Sequence, residues 1–215
     1  YQDRFLSFVG LPIGKLGTLQ VFSSKKNAFE ERDLDILKIL ANNLEDKISR
    51  TRLENELTDQ AVRDQLTGLF NRHYLRQILN KEIERAQRYG HKLAFLMIDI
   101  NNFKDVNDYY SHNTGDKVLI EVGNLIQQNV READTVIRYG GDEFLILLPE
   151  TGKGVETVIP RLKSAVENWA EGTDIIELPL SLAIGSSHFS PDEEIDAENA
   201  IAQADEEMFR DKKKN

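Results

Sequence analysis

Two strand ends in this sequence carry carboxylates where they could share a cation. The apolar run Leu93-Ala94-Phe95-Leu96-Met97-Ile98 ends in Asp99, and Gly140-Gly141 is followed directly by Asp142-Glu143. Glycines let the backbone turn tightly and let a bulky ligand approach without meeting a Cβ. Three carboxylates at two strand ends make a hard oxygen donor set of the kind Mg²⁺ takes. Two such ions about 3.5–4 Å apart would activate an attacking oxygen and stabilise a leaving one in phosphoryl transfer. On composition alone the same carboxylates read equally well as solvated turn residues. The four histidines, His73, His91, His112 and His188, show no metal-ligand spacing and read as ordinary structural side chains. With no cysteine in the chain, disulfides and thiolate metal sites are excluded.

The elements that must position these carboxylates follow from periodicity. After Asp64 the pattern predicts helix 71–89, strand 93–99, helix 113–130, strands 135–139 and 143–148, helix 153–170, strand 178–187 and helix 197–213. The pair around 139–143 is a hairpin turning at Gly140-Gly141. This order implies an α+β sandwich, an antiparallel-containing sheet with helices on one face.

The first 63 residues read differently. Residues 5–9 and 18–22 form two short strands joined by a turn through Gly10, Gly14 and Gly17. Asn27 followed by Glu30 suits a capping box for a helix running from about Phe29 to Arg63 without Gly or Pro. Leu37, Ala41, Leu44, Ile48 and Thr51 recur at spacings of four and three, the seam of a coiled coil, with a stutter before Leu53 and Leu57. The alternative is an amphipathic helix packed on its own domain.

A net charge of −10 argues against nonspecific nucleic-acid binding, which needs a basic face. Hydrophobic and charged fractions of 40% and 30% are those of an ordinary globular protein. No apolar run approaches a membrane span, so a cytoplasmic location and no membrane contact within this segment are expected. Because the first residue is Tyr1, any anchor is expected upstream.

Arg138-Tyr139-Gly140-Gly141-Asp142-Glu143-Phe144 resembles the signature of the GGDEF diguanylate cyclases. Asp64-Gln65-Leu66-Thr67-Gly68-Leu69-Phe70-Asn71-Arg72 is similar to that family's opening motif. Asp99-Ile100-x-x-Phe103-Lys104-x-x-Asn107-Asp108, then His112-x-x-Gly115-Asp116, resembles its nucleotide-binding stretch, and Ala204-Asp205 with Lys212 stands where it has its last helix. The resemblance implies a nucleotidyl-cyclase-like (ferredoxin-like) α+β sandwich over 64–215, with a central, mostly antiparallel sheet, preceded by a long helix. It also implies condensation of two GTP into cyclic di-GMP. Residues 5–48, with Phe29-Glu30-Glu31-x-Asp33 opening the helix, resemble the end of a GAF sensory domain. The division expected is a GAF-like tail at 1–28, a signalling helix at 29–63 and the cyclase domain at 64–215.

Residue roles come with the resemblance. Asp99, the carbonyl of Ile100, Asp142 and Glu143 would hold two Mg²⁺, for which Mn²⁺ can substitute. Asp142 is also the family's candidate base for the 3′-hydroxyl, so Asp142, Glu143 and Lys104 form the expected catalytic set. Lys104 and Lys212 would neutralise the triphosphate, helped by backbone N–H groups of residues 101–104. Asn107 and Asp116 would read guanine, and Phe103, His112, Gly140 and Gly141 complete the substrate site. Departures are modest: Asn101 where Asp is common, Ser111 for a frequent Gly, and Ala183 for a frequent Ser. The chain ends at Asn215, one position short of the family's phosphate-contacting Arg.

Arg131 and Asp134 stand nine and six residues ahead of Gly140, where the family often carries an inhibitory site for its product. Arg32-Asp33-Leu34-Asp35 has the same pattern, so position, not pattern, carries this reading. The product joins two nucleotides by two phosphodiester bonds, so two domains must face each other, and a homodimer through helix 29–63 would raise their effective concentration. The rival class is a GGDEF domain that only binds GTP or cyclic di-GMP. Such degenerate domains usually lose Gly or carboxylates from the signature, and none is lost here.

Overall fold

The computed structural model describes residues 5–151, 154–192 and 196–214, without the side chains of 55–57. The chain divides into two compact units, Tyr1–Asp59 and Gln60–Asn215. Among the described residues no helix is long and apolar enough to cross a membrane.

In the first unit β1 (Ser7–Ile13) and β2 (Gly17–Ser23) form an antiparallel hairpin. Its turn starts at Gly14 in the left-handed region, φ +47. Helix α1 (Glu31–Val62) follows, and a Cβ at Gly14 would run into the Glu45 carboxylate, so helix and hairpin meet closely there. Two expectations change. Asn27 has φ +52 and does not cap the helix; Asp33 Oδ2 instead accepts from the Glu30 N–H at 3.0 Å, one turn further on. The expected seam is also split. Ala41 is buried and Leu37 and Ile48 half-buried, while Leu44 and Thr51 are exposed. The exposed apolar side chains of the helix include Ile36, Ile39, Leu40 and Leu44.

The second unit is built on a sheet of order β3-β5-β6-β4-β7: β3 (Phe70–Asn71), β5 (Thr135–Gly140), β6 (Glu143–Pro149), β4 (Leu93–Ile100) and β7 (Leu182–Phe189). Only β3 and β5 run parallel; all other pairs are antiparallel. All eight residues of β4 are buried. Ala94, Leu96, Ile98 and Ile100 face a core closed by α4 (His112–Gln128) and α5 (Val155–Gly172). Leu93, Phe95 and Met97 face a second core closed by α2 (Arg72–Tyr89) and α6 (Ala197–Lys212). Helices therefore cover both faces, not one as expected. A strand that is apolar without alternation is the sequence form of burial on both sides.

Three further differences have local causes. The short α3 (Phe103–Tyr109) was not expected. The last strand starts at Leu182 and not at 178, because Pro179 has no N–H to give to a ladder. Helix α4 ends at Gln128, with Asn129 donating back to Leu125 O through its side chain.

Candidate active site

Strand pairing brings the carboxylates together. Asp99 is the register partner of Glu143 on β6 and of Ala183 on β7. The β5–β6 hairpin closes from Gly140 to Glu143 over Gly141 and Asp142, with a bulge between Arg138 and Gly140. Gly141 adopts φ +54, as the first loop position of so short a turn requires.

The charges at this end are unbalanced. Burial pushes Asp99 above the ordinary carboxylate value and repulsion from Asp142 adds to that, while the Lys212 ammonium, 2.6 Å from Asp99 Oδ1, offsets part of it. Glu143 is raised too, first by burial and then by repulsion from Asp205, Asp99 and Asp142. Four carboxylates thus repel one another with Lys212 as the cation among them. Excess negative charge on hard oxygen donors suits a divalent cation. Among the described residues, however, no three Asp, Glu or His side chains are already arranged around one point. The expected metal ligands converge in charge but not in coordination geometry.

The nucleotide-binding stretch converges on a second cluster. Asn102 takes a left-handed φ of +58 and opens α3 without a side-chain cap. Gly115 is buried, and a Cβ there would collide with Asn107 Oδ1 and press on the Phe103 ring. Glycine at 115 therefore allows Phe103 and Asn107 to meet α4 beside Asp116. The side chains of Lys104, His112 and Asp116 are exposed and make no hydrogen bond or ion pair among the described residues.

Arg138 links the signature to the opening motif. Its Nε and Nη2 donate to Gly141 O at 3.1 and 2.8 Å, and its Nη1 donates to Asp64 Oδ1 and Oδ2 at 3.0 and 3.2 Å. Asp64 also accepts from the N–H and hydroxyl of Thr67. Burial alone would raise Asp64, but these hydrogen bonds and the Arg138 charge outweigh it and hold the carboxyl below its ordinary value. Both arginine and aspartate lie inside the family's motifs, yet a partnership across 74 residues leaves no local signal in the sequence.

Arg131 and Asp134 sit apart from this cluster, just before β5. Asp134 Oδ2 accepts from the Arg131 backbone N–H at 2.8 Å and Asp134 N–H donates to Arg131 O, which closes a turn. The Arg131 guanidinium makes no hydrogen bond or ion pair among the described residues, and the residue lines a cavity of about 200 Å³ with Arg63 and Val130. Burial raises Asp134, against the Arg131 amide and the charges of Arg131 and Arg161. Arg161, on α5, was not singled out from the sequence.

A mostly antiparallel five-stranded sheet, covered by helices and carrying carboxylates at the mouth of a Gly-Gly turn, defines a nucleotidyl-cyclase-like domain. Residues 61–215 match the family described as "Diguanylate cyclase, GGDEF domain". The chain belongs to that GGDEF family. It is 43% identical over 152 residues to diguanylate cyclase DosC of Escherichia coli, covering 68% of this chain and 32% of DosC. The chain thus spans about a third of the length of that relative. Among solved structures it resembles Pseudomonas aeruginosa SiaD in complex with its activator SiaC: TM-score 0.69, 31% identity, 86% of this chain and 71% of that one. It shares its fold with the coiled coil and GGDEF domain of Caulobacter crescentus DgcB, in complex with c-di-GMP: TM-score 0.71, 22% identity, 83% and 95% coverage.

Proposed function

We propose that this chain is a diguanylate cyclase, which joins two GTP into cyclic di-GMP and releases two pyrophosphates. The observation that carries the reading is the meeting of Asp99, Asp142, Glu143 and Lys212 at one end of the sheet. Asp99, the Ile100 carbonyl, Asp142 and Glu143 would hold two Mg²⁺, or Mn²⁺ in their place. Bound there, the ions would acidify the attacking 3′-hydroxyl and neutralise phosphate charge. Asp142 takes up the hydroxyl proton, and Glu143 keeps the hairpin end anionic. Lys104 and Lys212 act as mobile point charges on the triphosphate. Asn107 and Asp116 read the guanine edge, with Phe103 and His112 beside them, and Gly140 and Gly141 let the phosphates come close.

One domain supplies one GTP site, so the reaction needs two domains face to face. We assign residues 1–28 to the tail of a GAF-like sensory domain, 29–63 to a dimerising helix and 64–215 to the cyclase. The exposed Ile36, Leu40 and Leu44 would supply part of the dimer seam. Arg131 and Asp134, with Arg161 nearby, form the inhibitory site for the product.

Guanine selection tests the substrate half of this reading. With GTP and ATP supplied together, cyclic di-GMP is expected as the main product. A predominantly mixed guanine–adenine product would overturn the roles given to Asn107 and Asp116.

A further inference from the structure

Helix α6 buries one stripe, Ala197, Ala200, Ile201, Ala204 and Met208. Three residues beyond Met208 the same stripe reaches Asp211. A carboxylate there faces the sheet where an apolar side chain is the ordinary choice. It also stands in the last turn, where the helix dipole disfavours negative charge. Two partners account for it: Lys163 Nζ of α5 donates to Asp211 Oδ2 at 2.6 Å, and the Ile184 N–H of edge strand β7 donates to the same oxygen at 3.0 Å.

These contacts close a ring that includes Asp99 of the acidic site. Ala183, next to Ile184, is the register partner of Asp99. Lys212, next to Asp211, donates to Asp99 Oδ1 at 2.6 Å. The path Asp99, Ala183, Ile184, Asp211, Lys212 therefore returns to Asp99, and Lys163 ties it to α5. The helix can lie this close because Gly185 has no Cβ; one added there would strike the α6 backbone at Ala204 and Met208.

We propose that Asp211 and Lys163 are positioning residues for Lys212. The last turn of a helix tends to fray. By fixing its rotation over β7, the pair holds the Lys212 ammonium at the acidic mouth, where the triphosphate binds. The triphosphate part rests on the function proposed above; the placement of Lys212 does not.

Two measurements separate positioning from a contact that merely adds stability. Trace labelling of the folded protein with acetic anhydride, mapped by mass spectrometry, reads the reactivity of Lys212 against that of exposed Lys117. Asp211→Ala and Lys163→Met should each raise Lys212 labelling several-fold, and Lys163→Arg should keep the wild-type level. Unchanged labelling in folded Asp211→Ala and Lys163→Met would overturn the proposal.

Binding of a fluorescent GTP analogue, mant-GTP, supplies the second reading. Asp211→Ala should weaken it about tenfold in the wild-type background and less than about twofold in a Lys212→Ala background, because coupled residues are not additive. Equal weakening in both backgrounds would reduce Asp211 to a structural contact. If the labelling changes as expected while wild type fails to bind mant-GTP, the positioning of Lys212 stands and the triphosphate reading falls.

Discussion

Two arginine–aspartate pairs meet at β5, one with its arginine inside the strand and one just ahead of it, and they are built in opposite ways. Arg138 spends its guanidinium inside the domain, on Asp64 and on Gly141 O, and both side chains are mostly covered, at 15% and 23% exposure. In the pair Arg131 and Asp134, the carboxylate is occupied by a backbone N–H, and the guanidinium is left without a partner among the described residues. The first arrangement consumes its hydrogen-bonding capacity on the fold. The second keeps an arginine's planar donor fork available for a ligand. Spacing in sequence does not distinguish such pairs; the partner of the guanidinium does.

The largest effect expected is a reference for both pairs. Asp99→Ala removes a carboxylate of the acidic site and, with it, Lys212's partner, so turnover should vanish while thermal unfolding stays close to wild type. Near-wild-type turnover in this variant would sink the metal-site assignment.

Arg138→Ala should come next, and should hurt both stability and rate. It leaves Asp64 without its countercharge and the Gly141 carbonyl without its donors, a loss of about 1–3 kcal/mol for a partly buried, charge-assisted network. Chemical denaturation measures the stability loss, and initial rates should fall along with it because the signature turn loses its tether. An unchanged denaturation midpoint would make the Arg138 network ornamental.

Acid unfolding sharpens the contrast, because the two aspartates carry opposite signs. Asp64 is held below its ordinary value of 3.8, so its contribution is complete above that pH and is lost as pH falls through its folded value. Asp134 is raised above the same 3.8, so ionising it costs stability, and that cost is relieved as pH falls through its folded value. Unfolding followed from pH 7 to 3 should show less acid loss in Asp64→Asn than in wild type, and more in Asp134→Asn. Parallel curves for all three proteins would remove the distinction.

Arg131→Ala should have the smallest effect on the isolated protein. Its stability should stay within about 0.5 kcal/mol of wild type. What should change is the progress curve, which stays linear for longer as cyclic di-GMP accumulates. If wild type and variant slow identically, Arg131 is surface charge.

Much of the site was legible because its motifs are contiguous. Asp99 closes an apolar run, and Asp142-Glu143 follows two glycines, so strand pairing had only to bring the two ends together. The missed features depend on contacts distant in sequence or on several elements at once. Arg138 and Asp64 are 74 residues apart, and Asp205 matters only because α6 delivers its charge beside Glu143. The coverage of both sheet faces is written in Leu93–Ile98, an apolar run without alternation. The helical seam could not be assigned from periodicity alone, since the β1–β2 hairpin and any dimer partner compete for one stripe on α1, and Ala41 is already buried within the first unit.

The acidic end of this sheet is proposed to make cyclic di-GMP, and product analysis tests that directly. Purified protein should be incubated with GTP and Mg²⁺, with Asp142→Ala in parallel, and both nucleotide and pyrophosphate products should be quantified. One cyclic di-GMP and two pyrophosphates are expected for every two GTP consumed by wild type, and neither product from the variant. Tight GTP binding by a folded, dimeric wild-type protein that yields no cyclic di-GMP with either Mg²⁺ or Mn²⁺ would contradict it, and would make this domain a nucleotide receptor.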